Sequence, residues 1–143
     1  MRLKIKRLDP TISLPAVATV GSAGFDLAAA ADVEVPPRAI RLVGTGLVIG
    51  VPNGYFLGIF ARSSTPLKRG LIVANGVGVV DADYCGPSDE IKIQVLNVTD
   101  QPVHVRRGDR LAQGILLPTP RVEWEPVEDT SAPTRGGFGS TGG

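Results

Sequence analysis

Residues 41–62 read RLVGTGLVIGVPNGYFLGIFAR, a stretch in which no charged side chain lies between Arg41 and Arg62. A membrane-spanning helix of this length would be predominantly apolar and uninterrupted. Here five glycines and the tripeptide Pro52-Asn53-Gly54 interrupt it, and that tripeptide is typical of a turn. The stretch therefore predicts two buried β-strands joined by a turn.

The composition of the whole chain favours an all-β fold. Its 143 residues include 18 glycines and 12 prolines, too many for a helical bundle, where an interior glycine costs about 1 kcal/mol and a proline about 3. Plentiful apolar residues and a net charge of +1 argue against general disorder. We predict one domain built as a sandwich, jelly roll or barrel. The predicted strands cover residues 3–6, 23–30, 33–35, 40–49, 55–61, 71–73, 77–80, 91–98, 103–105 and 111–117, with a helical turn near 63–68.

The rarest residue types limit the chemistry and the location. The single cysteine, Cys85, cannot form an internal disulfide, which predicts a cytoplasmic protein. With one histidine, His104, a zinc site of the usual Cys/His kind is excluded, so we expect a carboxylate to carry any proton transfer. The small net charge predicts no nucleic-acid partner. The basic N-terminus lacks the apolar core of a signal peptide, and we expect no membrane association.

The tail differs in composition from the rest of the chain. Residues 126–143 hold few aliphatic side chains and end in RGGFGSTGG, so we divide the chain into a β-rich domain, 1–125, and a flexible arm, 126–143. One interpretation of the arm is a disordered terminus. The other is an arm that closes over a phosphorylated ligand, because glycines leave backbone N–H groups free to approach an anion.

Four internal segments place polar residues near strand ends. Asp26 interrupts an apolar strand and needs either a partner or a function. Arg62 precedes hydroxyl residues that form either a phosphate site or a plain helix cap. Residues 75–86 predict a hairpin that presents an asparagine, two carboxylates and a tyrosine, with a turn capped by aspartates as the alternative. Residues 107–114 predict a turn with an ion pair between Asp109 and Arg110.

The order of these segments carries more information than any one of them. AGFDLAAA, ARSS, NGVGVVDADYCG, GDRLAQ and RGGFGSTG, across residues 23–142, resemble the five ordered motifs of the trimeric dUTP pyrophosphatases, or dUTPases. The resemblance implies a jelly-roll-like (β-clip) homotrimer with shared sites. It also implies Mg²⁺-assisted hydrolysis of dUTP to dUMP and pyrophosphate, which keeps uracil out of DNA and supplies dUMP for thymidylate synthesis.

The same resemblance implies a role for each matching residue. Asp81 matches the carboxylate that activates water for attack on the α-phosphorus, and Asp26 matches one that reaches the metal through water. The residues that match base and sugar contacts are Asn75, Gly76, Val77, Val80, Tyr84 and Phe138. The residues that match phosphate contacts are Arg62, Ser63, Ser64, Gln113, Arg135, Gly137, Ser140 and Thr141.

Three departures and two rival functions accompany this resemblance. One departure is Ser64, at a position where many members of the family have glycine. Pro87-Ser88-Asp89 intervene where the family's hairpin continues directly, and Cys85 takes a position that is often polar. The related dCTP deaminases, including bifunctional ones, carry a catalytic glutamate where this chain has Gln94, which cannot act as the base. A non-catalytic nucleotide-binding module is the alternative of another class, although this chain keeps Asp81 and Arg135.

Overall fold

The computed structural model describes residues 1–137. Within them the chain forms eleven short β-strands and one short α-helix. In chain order these are β1 (Lys4–Arg7), β2 (Phe25–Ala28), β3 (Val33–Val35), β4 (Ile40–Gly44), β5 (Leu47–Gly50), β6 (Tyr55–Ala61), α1 (Ser64–Arg69), β7 (Leu71–Val73), β8 (Gly78–Val80), β9 (Lys92–Asn97), β10 (Val103–Val105) and β11 (Arg110–Pro118).

The strands pair into two larger sheets and two small ones, all antiparallel across the described part of the chain. The first sheet has the order β2-β11-β6-β8 and the second β4-β9-β7, while β1 pairs with β5 and β3 with β10. Sequence neighbours such as β6, β7 and β8 alternate between the sheets, so the chain crosses repeatedly from one to the other. This arrangement confirms the predicted all-β, jelly-roll-like fold.

Alternating side chains from both sheets fill a single core. In β9, Ile93, Val95 and Asn97 are buried while the residues between them are more exposed, as the two-residue period of a strand requires. Burying one such aliphatic side chain contributes about 1.5–3 kcal/mol. Asn97 is tolerated there because its side-chain amide donates to the carbonyls of Val35 and Gln101, at 3.0 and 2.7 Å.

In the charge-free stretch, the number of strands differs from the prediction. The strand expected over 40–49 is two strands, because Thr45 and Gly46 separate β4 from β5 and Gly46 adopts a left-handed φ of +67°. The turn around Pro52-Asn53-Gly54 is confirmed, with the Tyr55 amide donating to the Pro52 carbonyl at 3.2 Å. The two strands that it joins, β5 and β6, lie in different sheets.

The predicted hairpin over residues 75–86 is wrong as regards strand pairing. Only one strand, β8, lies within these residues, and it pairs with β6 rather than with a second limb of a hairpin. Asn75 and Gly76 instead form a tight turn, in which the Gly76 amide donates to the Val73 carbonyl at 3.1 Å and the Val77 amide donates to the Asn75 carbonyl at 2.9 Å. Asp81 and Tyr84 lie in the long loop that follows β8.

Beyond β11 the described chain has no regular structure. Residues 119–137 are exposed throughout, and the Trp124 side chain is 89% exposed. Phe138, Ser140 and Thr141 lie outside the described residues. The one helix found in residues 1–137 has six residues, and no helix there has the length and hydropathy needed to cross a membrane.

Candidate active site

A polar cavity of about 320 Å³ forms beside β2 and collects four residues that the sequence singled out. Asp26 lies at its centre on β2, with Oδ1 accepting a hydrogen bond from Arg62 Nε at 2.7 Å and Oδ2 accepting one from Arg110 Nη1 at 3.0 Å. The Asp26 side chain is 21% exposed, so these arginines compensate the cost of partly burying its charge. Its lining includes Asp26, Arg62, Ser63, Arg110 and Gln113, and we call it the phosphate cavity after the contacts that the sequence predicts for Arg62, Ser63 and Gln113.

Arg110 is a member of this cavity that the sequence did not predict. Residues 110 and 113 should project from opposite faces of a regular strand, because side chains alternate along it. The β2–β11 register shifts between Arg110 and Ala112, and a bulge of this kind re-aims a side chain. Arg110 therefore reaches Asp26, whereas the sequence predicted an ion pair between Arg110 and its neighbour Asp109.

The remaining phosphate candidates lie where β6 ends and α1 begins. Ser63 is the exposed N-cap residue, although its hydroxyl makes no capping hydrogen bond, and Ser64 opens the helix and is half-buried. Gln113 is the register partner of Asp26 across β2 and β11, and its amide donates to the Ala61 carbonyl at 3.1 Å. The alternative interpretation of the ARSS segment, a helix capped by a serine hydroxyl, is therefore not observed for Ser63.

A second ion pair connects α1 to the start of β11. Arg69 Nη1 donates to Asp109 Oδ2 at 2.7 Å, and the Arg106 backbone amide donates to the same oxygen at 2.8 Å. The hydrogen bond from Arg69, opposed by partial burial and aided by the Arg106 amide, lowers the pKa of Asp109 below its ordinary value. This pair connects α1, which follows Ser63, to the residue that precedes Arg110.

A separate cavity is lined by residues that the sequence predicts to contact the base and the sugar, and we call it the nucleoside pocket. It has a volume of about 330 Å³, and its lining includes Asn75, Gly78, Val79, Val80, Asp81, Tyr84, Glu90 and Lys92. Val80 is buried, whereas Asn75, Asp81 and Tyr84 are exposed. Among residues 1–137, no group donates a hydrogen bond to the Asp81 carboxylate, which leaves its oxygens available to water or a ligand.

The other predicted residues that the structure describes fall into two groups. Gly76 and Val77 are exposed in the turn at the rim of the nucleoside pocket, and Gly76 has a φ of +71°. Arg135 and Gly137 lie in the exposed tail. Within the described part of the chain, the phosphate cavity and the nucleoside pocket share no lining residue.

Asp26 is the predicted contact to a metal ion, and its surroundings are compatible with an indirect one. Residues 1–137 contain no cluster of three or more histidine, cysteine or acidic side chains that could hold a metal. Each Asp26 oxygen accepts one arginine hydrogen bond, and a carboxylate oxygen has capacity for about two. One position on each oxygen therefore stays available for a water molecule.

Comparison with known proteins identifies the family. The dUTPase family model matches residues 11–142. This chain belongs to the dUTPase family. The deoxyuridine 5'-triphosphate nucleotidohydrolase of Wolbachia pipientis subsp. Culex pipiens is 39% identical over 150 residues, which cover 99% of this chain and 96% of that protein.

Two solved structures extend the similarity to the fold. The crystal structure of a dUTPase from Streptococcus mutans superposes with a TM-score of 0.78 at 36% identity, covering 85% of this chain and 98% of that one. A mutant dUTPase from phage phi11 of S. aureus, described for its coordination of a structural Mg(II) ion, superposes with a TM-score of 0.81 at 21% identity, covering 91% of this chain and 99% of that one. At that identity the second likeness supports the fold alone.

Proposed function

We propose that this member of the dUTPase family hydrolyses dUTP to dUMP and pyrophosphate. The observation that carries the proposal is the contrast between two aspartates. Asp26 is held by two arginines in the phosphate cavity, whereas the Asp81 carboxylate lines the nucleoside pocket and accepts no hydrogen bond from residues 1–137. A general base must be within hydrogen-bond reach of the water it activates, and Asp81 is free to take that role.

In the proposed reaction, Asp81 accepts a proton from a water molecule as the water oxygen bonds to the α-phosphorus. The bond from that phosphorus to the bridging oxygen breaks, and pyrophosphate leaves. Phosphoryl chemistry depends mainly on positioning and charge compensation. Arg62 uses Nε to bind Asp26, so its remaining N–H groups can donate to phosphate oxygens, together with Ser63, Ser64 and Gln113.

The nucleoside pocket is proposed to select the base and the sugar. Asn75 and the backbone of Gly76 and Val77 would bind the uracil edge, with Val80 beneath it. The Tyr84 ring would pack under the deoxyribose, where a 2′-hydroxyl would clash, so ribose is rejected by shape.

The arm, 126–143, is proposed to close over the bound nucleotide. Phe138 would stack on the uracil, while the phosphates would be held by Arg135, Gly137, Ser140 and Thr141. Closure of such an arm excludes bulk water and adds a cation next to the phosphates.

A homotrimer with shared sites is also part of the proposal. The phosphate cavity and the nucleoside pocket have separate linings among the described residues, which supports a site in which one chain supplies the first cavity and a neighbouring chain the second. Apolar side chains are also available for subunit contacts, with Leu42 59% and Val79 60% exposed.

Mg²⁺ is the proposed cofactor, bound mostly by phosphate oxygens and water as this ion prefers. It would neutralise charge on the triphosphate, and Asp26 would contact it through water. The proposed location is the cytoplasm, because a single cysteine suits a reducing compartment. We expect dUTP as the substrate, and neither nucleic acid nor membrane as a partner.

The test is pyrophosphate release from dUTP, dTTP, dCTP and UTP, each with and without Mg²⁺. We expect release from dUTP alone, stimulated by Mg²⁺. Asp81→Asn should lower turnover about 10²- to 10⁴-fold, as the loss of a general base does, and still bind a non-hydrolysable dUTP analogue. Asp83→Asn is the matched control in the same loop, and its turnover should stay near normal.

Analysis of the nucleotide products and a dUTP-binding measurement accompany this assay, and either of two results would overturn the proposal. Formation of a uridine nucleotide from dCTP would indicate a deaminase. Binding of dUTP without turnover would indicate the non-catalytic module. Gln94 argues against the first result, because an amide cannot replace a catalytic carboxylate.

A further inference from the structure

Glu90 is a partly buried carboxylate that the sequence did not single out and that the proposed reaction does not use. It follows the Pro87-Ser88-Asp89 insertion and lines the nucleoside pocket, with a side chain that is 21% exposed. Lys92 Nζ lies 3.9 Å from its Oε2, too far for a hydrogen bond. The other carboxylate oxygen of Glu90, Oε1, accepts a hydrogen bond from a backbone amide in a distant turn.

The Glu90 carboxylate is anchored to the turn between β4 and β5. Oε1 accepts a hydrogen bond from the Gly46 backbone amide at 2.8 Å, and Gly46 presents that amide from a left-handed conformation. Gly44 provides the space, since a Cβ at that position would lie 2.4 Å from Glu90 Oε1. Two glycines of the charge-free stretch therefore accommodate one carboxylate from a distant loop.

The backbone of Glu90 is in turn connected to Tyr84. The Tyr84 hydroxyl donates to the Glu90 carbonyl at 3.2 Å. The inserted residues form a compact turn between these two positions, in which the Gly86 amide donates to Asp89 Oδ2 at 2.7 Å and the Glu90 amide donates to the Ser88 carbonyl at 2.8 Å. The insertion thus delivers Glu90 to its anchor and gives the Tyr84 hydroxyl a partner.

We propose that Glu90 is a positioning residue, whose carboxylate fixes the Tyr84 ring in the nucleoside pocket by tying the 81–91 loop to the turn between β4 and β5. The inference rests on the proposed role of Tyr84 in rejecting ribose. Its specific consequence is that Glu90 controls the preference for dUTP over UTP through the position of the Tyr84 ring.

The loop has a second anchor that lets this role be tested in a folded protein. The Ile91 amide donates to the Leu47 carbonyl at 2.8 Å, and the Thr45 amide donates to the Ile91 carbonyl at 3.1 Å. These bonds do not involve the Glu90 side chain. Removing the carboxylate therefore frees the Tyr84 end of the loop and leaves β9 attached.

The experiment measures kcat/KM for dUTP and for UTP, together with the melting temperature. Glu90→Ala should lower the dUTP preference about tenfold, the size expected for one lost hydrogen bond that orients a binding group. Glu90→Gln keeps an acceptor oxygen and should stay within about twofold of wild type. Gly44→Ala should reproduce the loss, because its Cβ displaces only the flexible end of Glu90. Adding Gly44→Ala to Glu90→Ala should cause no further loss, since the displaced carboxylate is then absent.

The inference would be overturned if Glu90→Ala kept the dUTP preference, whether or not its melting temperature fell. It would also be overturned if Glu90→Gln lost as much of the preference as Glu90→Ala. Tyr84→Ala separates this failure from a failure of the proposed function. If Tyr84→Ala loses the preference and Glu90→Ala retains it, only the positioning role is wrong. If Tyr84→Ala also retains it, both the role of Tyr84 in rejecting ribose and the inference are wrong.

Discussion

The aspartates of this chain differ in their hydrogen-bond partners, and we propose different roles for them on that basis. Asp26 has two arginine partners, Asp89 accepts a backbone amide within its own turn, and Asp81 accepts no hydrogen bond from residues 1–137. Arg62 and Arg110 lie 36 and 84 positions from Asp26 along the chain. Local sequence indicates that a carboxylate inside an apolar strand needs a partner, but tertiary pairing alone decides which residue supplies it.

The Arg69–Asp109 pair makes a prediction about pH. Because the folded-state pKa of Asp109 is lowered, its stabilising effect is present above the ordinary value of 3.8 and is lost as pH falls through the folded-state pKa. Asp109→Asn should lower the melting temperature by about 2–4 °C at pH 7. Thermal melts should show this difference shrinking at acid pH.

The matched control for this experiment is Asp100→Asn. Asp100 also pairs with an arginine, Arg38, at 2.7 Å, but its side chain is 82% exposed, and exposed pairs contribute little. Its melting temperature should stay closer to wild type. A difference between Asp109→Asn and wild type that is constant from pH 7 to pH 3 would contradict the assigned cause.

At the scale of the strand, prediction succeeded where an apolar run is bounded by turn residues on both sides. The strands over 33–35, 55–61, 71–73 and 103–105 have the predicted bounds. It failed at 40–49, where Gly46 introduces a left-handed residue between two strands of equal apolar character. It also failed at the β11 bulge, because an extra residue in one strand becomes apparent only when its partner is known.

Removal of the exposed tail is expected to lower dUTP turnover without lowering the melting temperature. Deleting residues 134–143 should leave the melting temperature nearly unchanged, because residues 119–137 are exposed and lack regular structure. The same deletion should reduce dUTP turnover at least about a hundredfold, as the loss of a charge-compensating arginine does. Thermal melts and pyrophosphate release measure the two effects.

Full-length Arg135→Gln is the control for the truncation. It keeps the length of the arm and should reproduce much of the loss in turnover. Unfolding of the truncated protein would show that the arm is structural. Full turnover would show that residues 134–143 take no part in the reaction.

At the scale of the whole molecule, the residues singled out from the sequence line two separate cavities, a division that the sequence did not predict. Asp26 and Arg62 line the phosphate cavity, and Asn75, Asp81 and Tyr84 line the nucleoside pocket. Motif order along the chain does not reveal this division, because β7 and β8 are consecutive and yet enter different sheets. Sheet assignment depends on long-range pairing that local patterns do not encode.

We propose that Asp81 of one subunit and Arg62 of another act together on one dUTP. Subunit mixing tests it most directly. Asp81→Asn and Arg62→Gln should each lose dUTP turnover. By light scattering, both variants should remain homotrimers of about 45 kDa, three times the 14.9 kDa chain. Co-refolded at equal amounts, they should recover turnover at about a quarter of all sites, because random assembly pairs the intact Asp81 with the intact Arg62 at that frequency. Turnover no greater than that of the separate variants, in a mixture shown to contain hybrid trimers, would contradict the account.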